Sequence, residues 1–268
     1  MNEIVNNLVI VQARMGSTRL PGKIMKDLNG KPLLTRMIER LKKAKKPDKI
    51  VIATTNLPED NPIIELCKHE NYDFFRGSAN DLLDRHYQCA KKFNAKVISK
   101  IPSDVPLIDP SIIDTLFNFY ENNNYDFVSN LHPPSFPDGF DVEIFSFEIL
   151  RNAWENSIKN FEREHTTPYF WENPQKFSIG NVLEPEGNDF SKKYRLTIDY
   201  DEDYEVINNI FSNLYPQNPQ FSYIDIINYL DKHPEIVNIN NHLNGVNWYR
   251  HHLEELKTID SSMTKKYE

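Results

Sequence analysis

The stretch that most narrows what this chain can become is residues 9–23, V-I-V-Q-A-R-M-G-S-T-R-L-P-G-K. An apolar, β-branched run that breaks into a small, basic, glycine-containing loop predicts a buried strand delivering that loop to one edge of a sheet. The composition of the loop suits phosphate. Gly16 and Gly22 let the backbone come close to a ligand, Ser17 and Thr18 offer hydroxyls, and Arg14, Arg19 and Lys23 bring three cations within ten residues. Pro21 stiffens the exit. A strand-turn with a solvated basic face has the same composition and stands beside this reading. A nucleoside-triphosphate loop of the G-x-x-x-x-G-K-[ST] type does not: five residues separate Gly16 from Gly22, and Ile24 follows Lys23 where that motif needs a magnesium-binding hydroxyl.

Downstream, apolar runs alternate with helical spacing. Asn29-Gly30-Lys31-Pro32 is a turn, and Leu33, Leu34, Met37, Ile38 and Leu41 recur as one face of a helix. Residues 49–55 form a second buried strand, 62–69 a second helix, and Phe74-Phe75 leads through a loop into a helix start near residue 81. Ser78 or Asn80 could cap that helix, with Arg85 paired to Asp81 at i, i+4. Such alternation predicts an α/β protein with a doubly wound, mostly parallel sheet and its ligand at the carboxyl ends of the strands. The loops after the first and third strands are then expected to face one another.

Residues 96–109 read as another strand, ending in Asp104-Val105-Pro106. Asp104 at the carboxyl edge faces the basic loop and is the first candidate ligand for Mg²⁺ or Mn²⁺, hard cations held by one or two carboxylates and phosphate oxygens. Asp109, before Pro110, reads as a helix N-cap. After a strand near 126–130, the proline-dense segment 132–139 predicts an irregular loop over an acceptor. Residues 140–145 alternate polar with apolar, placing Asp141 and Glu143 on one face, where they bind sugar hydroxyls or form a solvated strand face. Asp199, Asp201 and Asp203 do not make a calcium loop, because Tyr204 stands where glycine is needed and Ile210 where glutamate is needed. Asp201, Glu202 and Asp203 read as first-turn acids favoured by a helix dipole. Glu164 and His165 lack the H-E-x-x-H spacing of a zinc helix, and a single histidine is most often a structural hydrogen-bonding residue.

A net charge of −8 over 268 residues argues against nucleic acid as a partner, so positive charge needed for an anionic ligand must be concentrated locally, as it is in the first 50 residues. Two cysteines, Cys67 and Cys89, give no zinc spacing and no disulfide framework. With neither a bilayer-length apolar run nor a signal-peptide pattern, the expectation is a cytoplasmic protein without a membrane partner.

A strand followed by Q-A-R-M-G-S-T-R-L-P-G-K resembles the signature loop of the nucleotide-sugar cytidylyltransferases, the group that contains the 3-deoxy-manno-octulosonate and acylneuraminate enzymes, and most of all their spore-coat-polysaccharide-type branch. Further elements extend the resemblance from about residue 9 to about 240: R-G-S-x-x-D-x-L-x-R at 76–85, R-E-H-x-T-P-Y at 163–169, and R-L-T-I-D at 195–199. Ser103 and Val105 depart from the glycine and cysteine usual around the strand-four aspartate. The resemblance implies a Rossmann-like, GT-A-type nucleotidyltransferase fold at 1–240, a smaller insertion at about 130–180 for acceptor binding or dimerisation, and an extension at 241–268. It implies CTP as co-substrate, transfer of CMP to a small acidic acceptor in surface-glycan biosynthesis, a divalent metal and a homodimer. By the same resemblance, the loop from Ala13 through Arg14, Gly16, Ser17, Thr18 and Arg19 to Lys23 surrounds the nucleotide, with Lys23, Arg14 and Arg19 catalytic. Arg76, Ser78 and Asp81 assist it, Asp199 is the second metal carboxylate, and Arg163, Glu164, His165 and Arg195 meet the acceptor. A hexose-1-phosphate enzyme using another base, a kinase and a non-catalytic nucleotide binder are the competing functions.

Overall fold

The computed structural model describes residues 4–265. β1 (Val5–Gln12) lies inside a seven-stranded sheet, flanked by β2 (Lys49–Thr55) and, on its other side, by β4 (Ala95–Pro102); β3 (Asp73–Gly77) forms one edge beyond β2. Beyond β4 come β6 (Glu143–Ser146), β5 (Phe127–Ser129) and β7 (Ile179–Asn181). Every pairing is parallel except the two made by β6, which runs against both β4 and β5. The strand period sorts the apolar residues onto two cores. Val9, Val11, Ile52 and Ile101 face one layer, while Leu8, Ile10, Val51 and Ile98 face the other. A sheet covered on both faces needs such continuous apolar strands.

The first layer is built from α1 (Leu33–Leu41), α2 (Asn61–His69) and, later in the chain, α4 (Pro110–Asn122), α8 (Asp201–Leu214), α9 (Tyr223–Lys232) and α10 (Pro234–Asn240). The second holds α3 (Leu82–Lys92), α5 (Phe147–Asn156), α6 (Asn160–His165) and α7 (Pro168–Trp171), together with the C-terminal residues Leu256 and Ile259. Asp109 caps α4 as expected, accepting from Ser111 N at 2.8 Å. α3 is capped instead by Asp81, whose side chain accepts from Asp84 N.

The loops after β1 and β3 face one cleft as expected, although β2 separates the two strands, and the loop after β4 lines the same cleft beside them. The strand expected from 140 begins only at Glu143, leaving Asp141 in irregular chain. Residues 195–199 are extended but not a strand; a single parallel bridge joins Arg195 to Asp138. Residues 130–180, expected as an insertion, contribute β6 to the middle of the sheet, and residues 241–265 add Leu256 and Ile259 to the second core and bury Leu243 and Val246.

Candidate active site

Where β1 ends, backbone hydrogen bonds shape the basic loop. Ala13 N donates to Ala53 O at 3.1 Å, which keeps the chain against β2. Ser17 N and Gly22 N both donate to Met15 O, at 2.9 and 3.0 Å, and Ser17 Oγ accepts from Leu20 N. Gly22 has φ +67°, a left-handed conformation that costs other residues energy, and it turns the chain into the short helical turn Lys23–Met25. Gly16 carries no such constraint and is exposed. Met15 N donates to Asp60 Oδ1 at 2.6 Å, and Asp60, 1 % exposed, also takes the Thr55 hydroxyl. Asp60 thus braces the loop from outside it. Sequence gives it away poorly, because an acid beside Pro62 reads as an ordinary helix-start residue.

The turn points Lys23 into the floor of a cleft of about 1530 Å³. Lys23 Nζ lies 3.0 Å from Asp104 Oδ2 and 3.0 Å from Asp199 Oδ1, and donates also to Ile198 O. Arg19 Nη2 meets the same Asp199 oxygen at 2.7 Å. Residues 13–23 and two carboxylates some 80 and 175 positions away therefore converge on one point. Asp104 and Asp199 are neighbours because Ile198 N donates to Asp104 O at 2.8 Å and Thr197 Oγ1 to the same oxygen at 3.3 Å. Burial alone would lower the Lys23 pKa, but the two carboxylates outweigh it and hold the ammonium above its ordinary value. Burial likewise opposes ionisation of Asp199, and Lys23 and Arg19 overcome it, so its carboxyl lies below the usual range. Two hard oxygen donors sharing one cation at 3.0 Å are close enough to share a divalent one; this donor set fits Mg²⁺ or Mn²⁺.

Arg195, expected among the acceptor contacts, is 2 % exposed and engaged internally. Its Nε meets Asp203 Oδ1 at 2.9 Å, Nη1 reaches Asp138 Oδ2 at 3.2 Å and Val246 O at 3.0 Å, and Nη2 lies 3.6 Å from Asp199 Oδ2. It is a positioning residue. Asp203, read as a first-turn acid, is fully buried: besides Arg195 it accepts from Asp199 N and Tyr200 N at 2.9 and 3.0 Å and from Asn240 Nδ2 at 2.9 Å. A helix start that must also hold the backbone of Asp199 uses its N3 acid for both tasks.

The segment 76–85 departs most from expectation. Arg76 donates to Thr55 O and Leu57 O at 3.0 and 3.1 Å, tying β3 to the β2 loop. Ser78 Oγ accepts from Asp81 N, and Asp81 receives the Arg163 guanidinium at 2.7 and 2.6 Å. Arg76, Ser78 and Asp81 therefore shape the wall, and Ala79, Asn80 and Arg85 present it to the cleft. Arg85 donates to Ser78 O at 3.1 Å and not to Asp81. Arg163 lines the cleft but is committed to Asp81 and Trp154 O.

At the other end stand Asp138, Asp141 and Glu143, with Glu143 paired to Lys100 across the β4–β6 register. Burial deep in the cleft, followed by neighbouring carboxylates, pushes Asp138 up to about 6 and Asp141 to about 8; the Arg195 guanidinium limits the shift at Asp138. Glu164 and His165 line the same end. The sequence offered no site beyond residue 240, yet Trp248 stacks on His165 with ring centres 3.7 Å apart, and Tyr249 and Val246 complete the wall. A tryptophan-tyrosine pair in a polar tail was the one available signal.

A mostly parallel sheet with a basic strand-one loop meeting two carboxylates beside its carboxyl edge defines an α/β nucleotidyltransferase. The family model for cytidylyltransferases matches residues 8–227, and the chain belongs to that family. It is 39 % identical over 236 residues to the uncharacterised protein MJ1063 of Methanocaldococcus jannaschii, covering 87 % of this chain and 94 % of that one. The spore coat polysaccharide biosynthesis protein SpsF of Bacillus subtilis is 30 % identical over 242 residues, with 88 % and 97 % covered. Among solved structures, a cytidylyltransferase from Leptospira borgpetersenii superposes with a TM-score of 0.80 at 37 % identity, covering 87 % of this chain and 95 % of the other. Among the described residues no helix is long and apolar enough to cross a membrane.

Proposed function

We infer that the protein transfers CMP from CTP to a small acidic acceptor, a sugar acid or a phosphorylated sugar-like compound, with release of pyrophosphate. The observation that carries this reading is the single nitrogen, Lys23 Nζ, held 3.0 Å from each of Asp104 and Asp199 on the floor of the cleft, with Arg19 alongside. Cytosine as the base rests on family membership.

In the transfer, an acceptor oxygen forms a bond to the α-phosphorus, the bond to the β-phosphate bridging oxygen breaks, and pyrophosphate leaves with that electron pair. The acceptor hydroxyl proton passes to solvent or to a carboxylate of the cleft. Charge grows on the α-phosphate and leaving oxygens, so fixed cations aimed there lower the barrier. Lys23 and Arg19 are those cations. Their two charges are matched by Asp104 and Asp199, so the constellation is close to neutral before a triphosphate enters. Asp104 and Asp199 would hold Mg²⁺ or Mn²⁺, which would supply the further positive charge that a triphosphate requires and polarise its phosphate oxygens. Arg14, exposed on the cleft and engaged by no carboxylate among the described residues, is the cation left for an acceptor's own acid group. Asp141 and Glu143 accept from acceptor hydroxyls.

Pyrophosphate release measured with each of the four nucleoside triphosphates, across sugar acids and phosphorylated sugars, tests the reading. CTP alone should support release, and Lys23→Ala and Asp199→Asn should each lower turnover about 10²–10³-fold with the circular dichroism unchanged. Equal turnover by both variants, or preference for another nucleotide with a hexose-1-phosphate, overturns it.

A further inference from the structure

The α6 pair Glu164 and His165 cannot make a metal site alone, and the chain supplies a third donor 87 positions later. We propose that Glu164, His165 and His252 bind a zinc-class divalent cation, distinct from the Asp104–Asp199 site, which clasps the C-terminal extension to the acceptor end of the cleft.

Each of the three side chains offers a ligand atom within 4.8 Å of the other two. The imidazole centres of His165 and His252 lie 5.9 Å apart with their planes at 78°. Two imidazoles on one tetrahedral zinc, with Zn–N near 2 Å, have ring centres roughly 5 Å apart, so a small contraction forms the site. Glu164 is exposed at the end of α6 and in no ion pair among the described residues, which leaves its carboxylate free to close the remaining gap. Thr166, at φ +71°, reverses the chain immediately after His165 and keeps this pair at the end of the helix.

The surroundings match those of a metal ligand set. His252 Nδ1 bonds Glu255 Oε1 at 3.1 Å, the carboxylate contact that fixes the tautomer of a ligating imidazole and leaves Nε2 as the donor. Trp248 covers the face of His165, orienting the ring and excluding water from it. Two imidazoles and one carboxylate select zinc over magnesium, which prefers oxygen donors. Three protein donors leave a fourth position, and Glu164 and His165 lie on the cleft wall, so an acceptor oxygen can reach it.

The full chain, stripped with chelator and dialysed against excess Mg²⁺, should retain one equivalent of added Zn²⁺, and cobalt(II) should give the intense visible absorption of a four-coordinate site. Asp199→Asn should bind zinc as wild type does, because its loss is confined to the other site. His252→Ala and Glu164→Gln should bind at least 10-fold more weakly, Glu255→Gln about 10-fold more weakly. Zinc should also slow amide exchange in residues 241–265. Failure to retain zinc, an octahedral cobalt spectrum, or equal affinity in a folded His252→Ala variant overturns the proposal. None of these outcomes bears on the nucleotide assay, so the two readings fail separately.

Discussion

Asp203 shows how much a single buried carboxylate can hold. It faces Arg195, two backbone amides and Asn240, and through them it fixes the direction of Asp199. Asp203→Ala leaves the Arg195 guanidinium without its main partner, and removing one member of a buried pair costs about 3–5 kcal/mol. Urea denaturation should report that loss, and pyrophosphate release should fall with it. Asp141 carries a prediction of opposite sense. Burial and neighbouring acids raise its folded pKa to about 8, above the ordinary carboxylate value. A raised carboxyl contributes stability that is fully present below the unfolded pKa and lost as pH rises through the folded one. Wild type should therefore lose melting temperature progressively between about pH 4 and pH 8 relative to Asp141→Asn, with the deficit complete and constant above about pH 8; parallel melting curves for the two proteins across that range would contradict this. Residue types announced Lys23 and Asp104 because a phosphate site needs cations and hard oxygens, whereas Asp199 was reached only through the family resemblance. They did not separate Arg76, Arg163 and Arg195, which look like ligand-binding arginines and instead hydrogen-bond to the protein, since an arginine's partners are set by tertiary contacts that sequence does not display.

At the level of elements, apolar periodicity predicted β1, β2, β4 and the helices beside them, because a strand buried on both faces and an amphipathic helix leave clear patterns. It says nothing of residues 195–199, whose apolar residues Leu196 and Ile198 are buried although the segment pairs with no neighbouring strand. Its partner is the loop at 138–139, where Asp138 N donates to Tyr194 O and Leu196 N to Asp138 O. Gly139 is what lets them meet: its φ is +111°, and a Cβ there would lie 2.4 Å from Leu196 C. Gly139→Ala must push the two segments apart, at about 2–4 kcal/mol from strain and overpacking. Thermal denaturation should give that loss, accompanied by weakened Asp199-dependent activity. Gly22→Ala should be milder, about 1–2 kcal/mol, since only Met15 Cε comes near, at 3.5 Å.

For the whole molecule, the extension beyond α10 is part of the working cleft. Leu243, Val246, Leu256 and Ile259 are buried, and Glu172 binds Lys257 N and Thr258 N at 2.6 and 2.9 Å. Deleting residues 241–268 should destabilise the protein by about 5 kcal/mol or more and raise the acceptor KM more than that of CTP, as denaturation and initial-rate assays would register. The guanidinium of Arg195 gathers side chains or backbone from positions 138, 199, 203 and 246. A polypeptide still emerging from a ribosome lacks the last of these until residue 246 has been added. Newly made chains should therefore acquire the nucleotide-handling geometry only once that position has cleared the exit tunnel, and a product terminated before it would be catalytically silent however well its early strands had assembled.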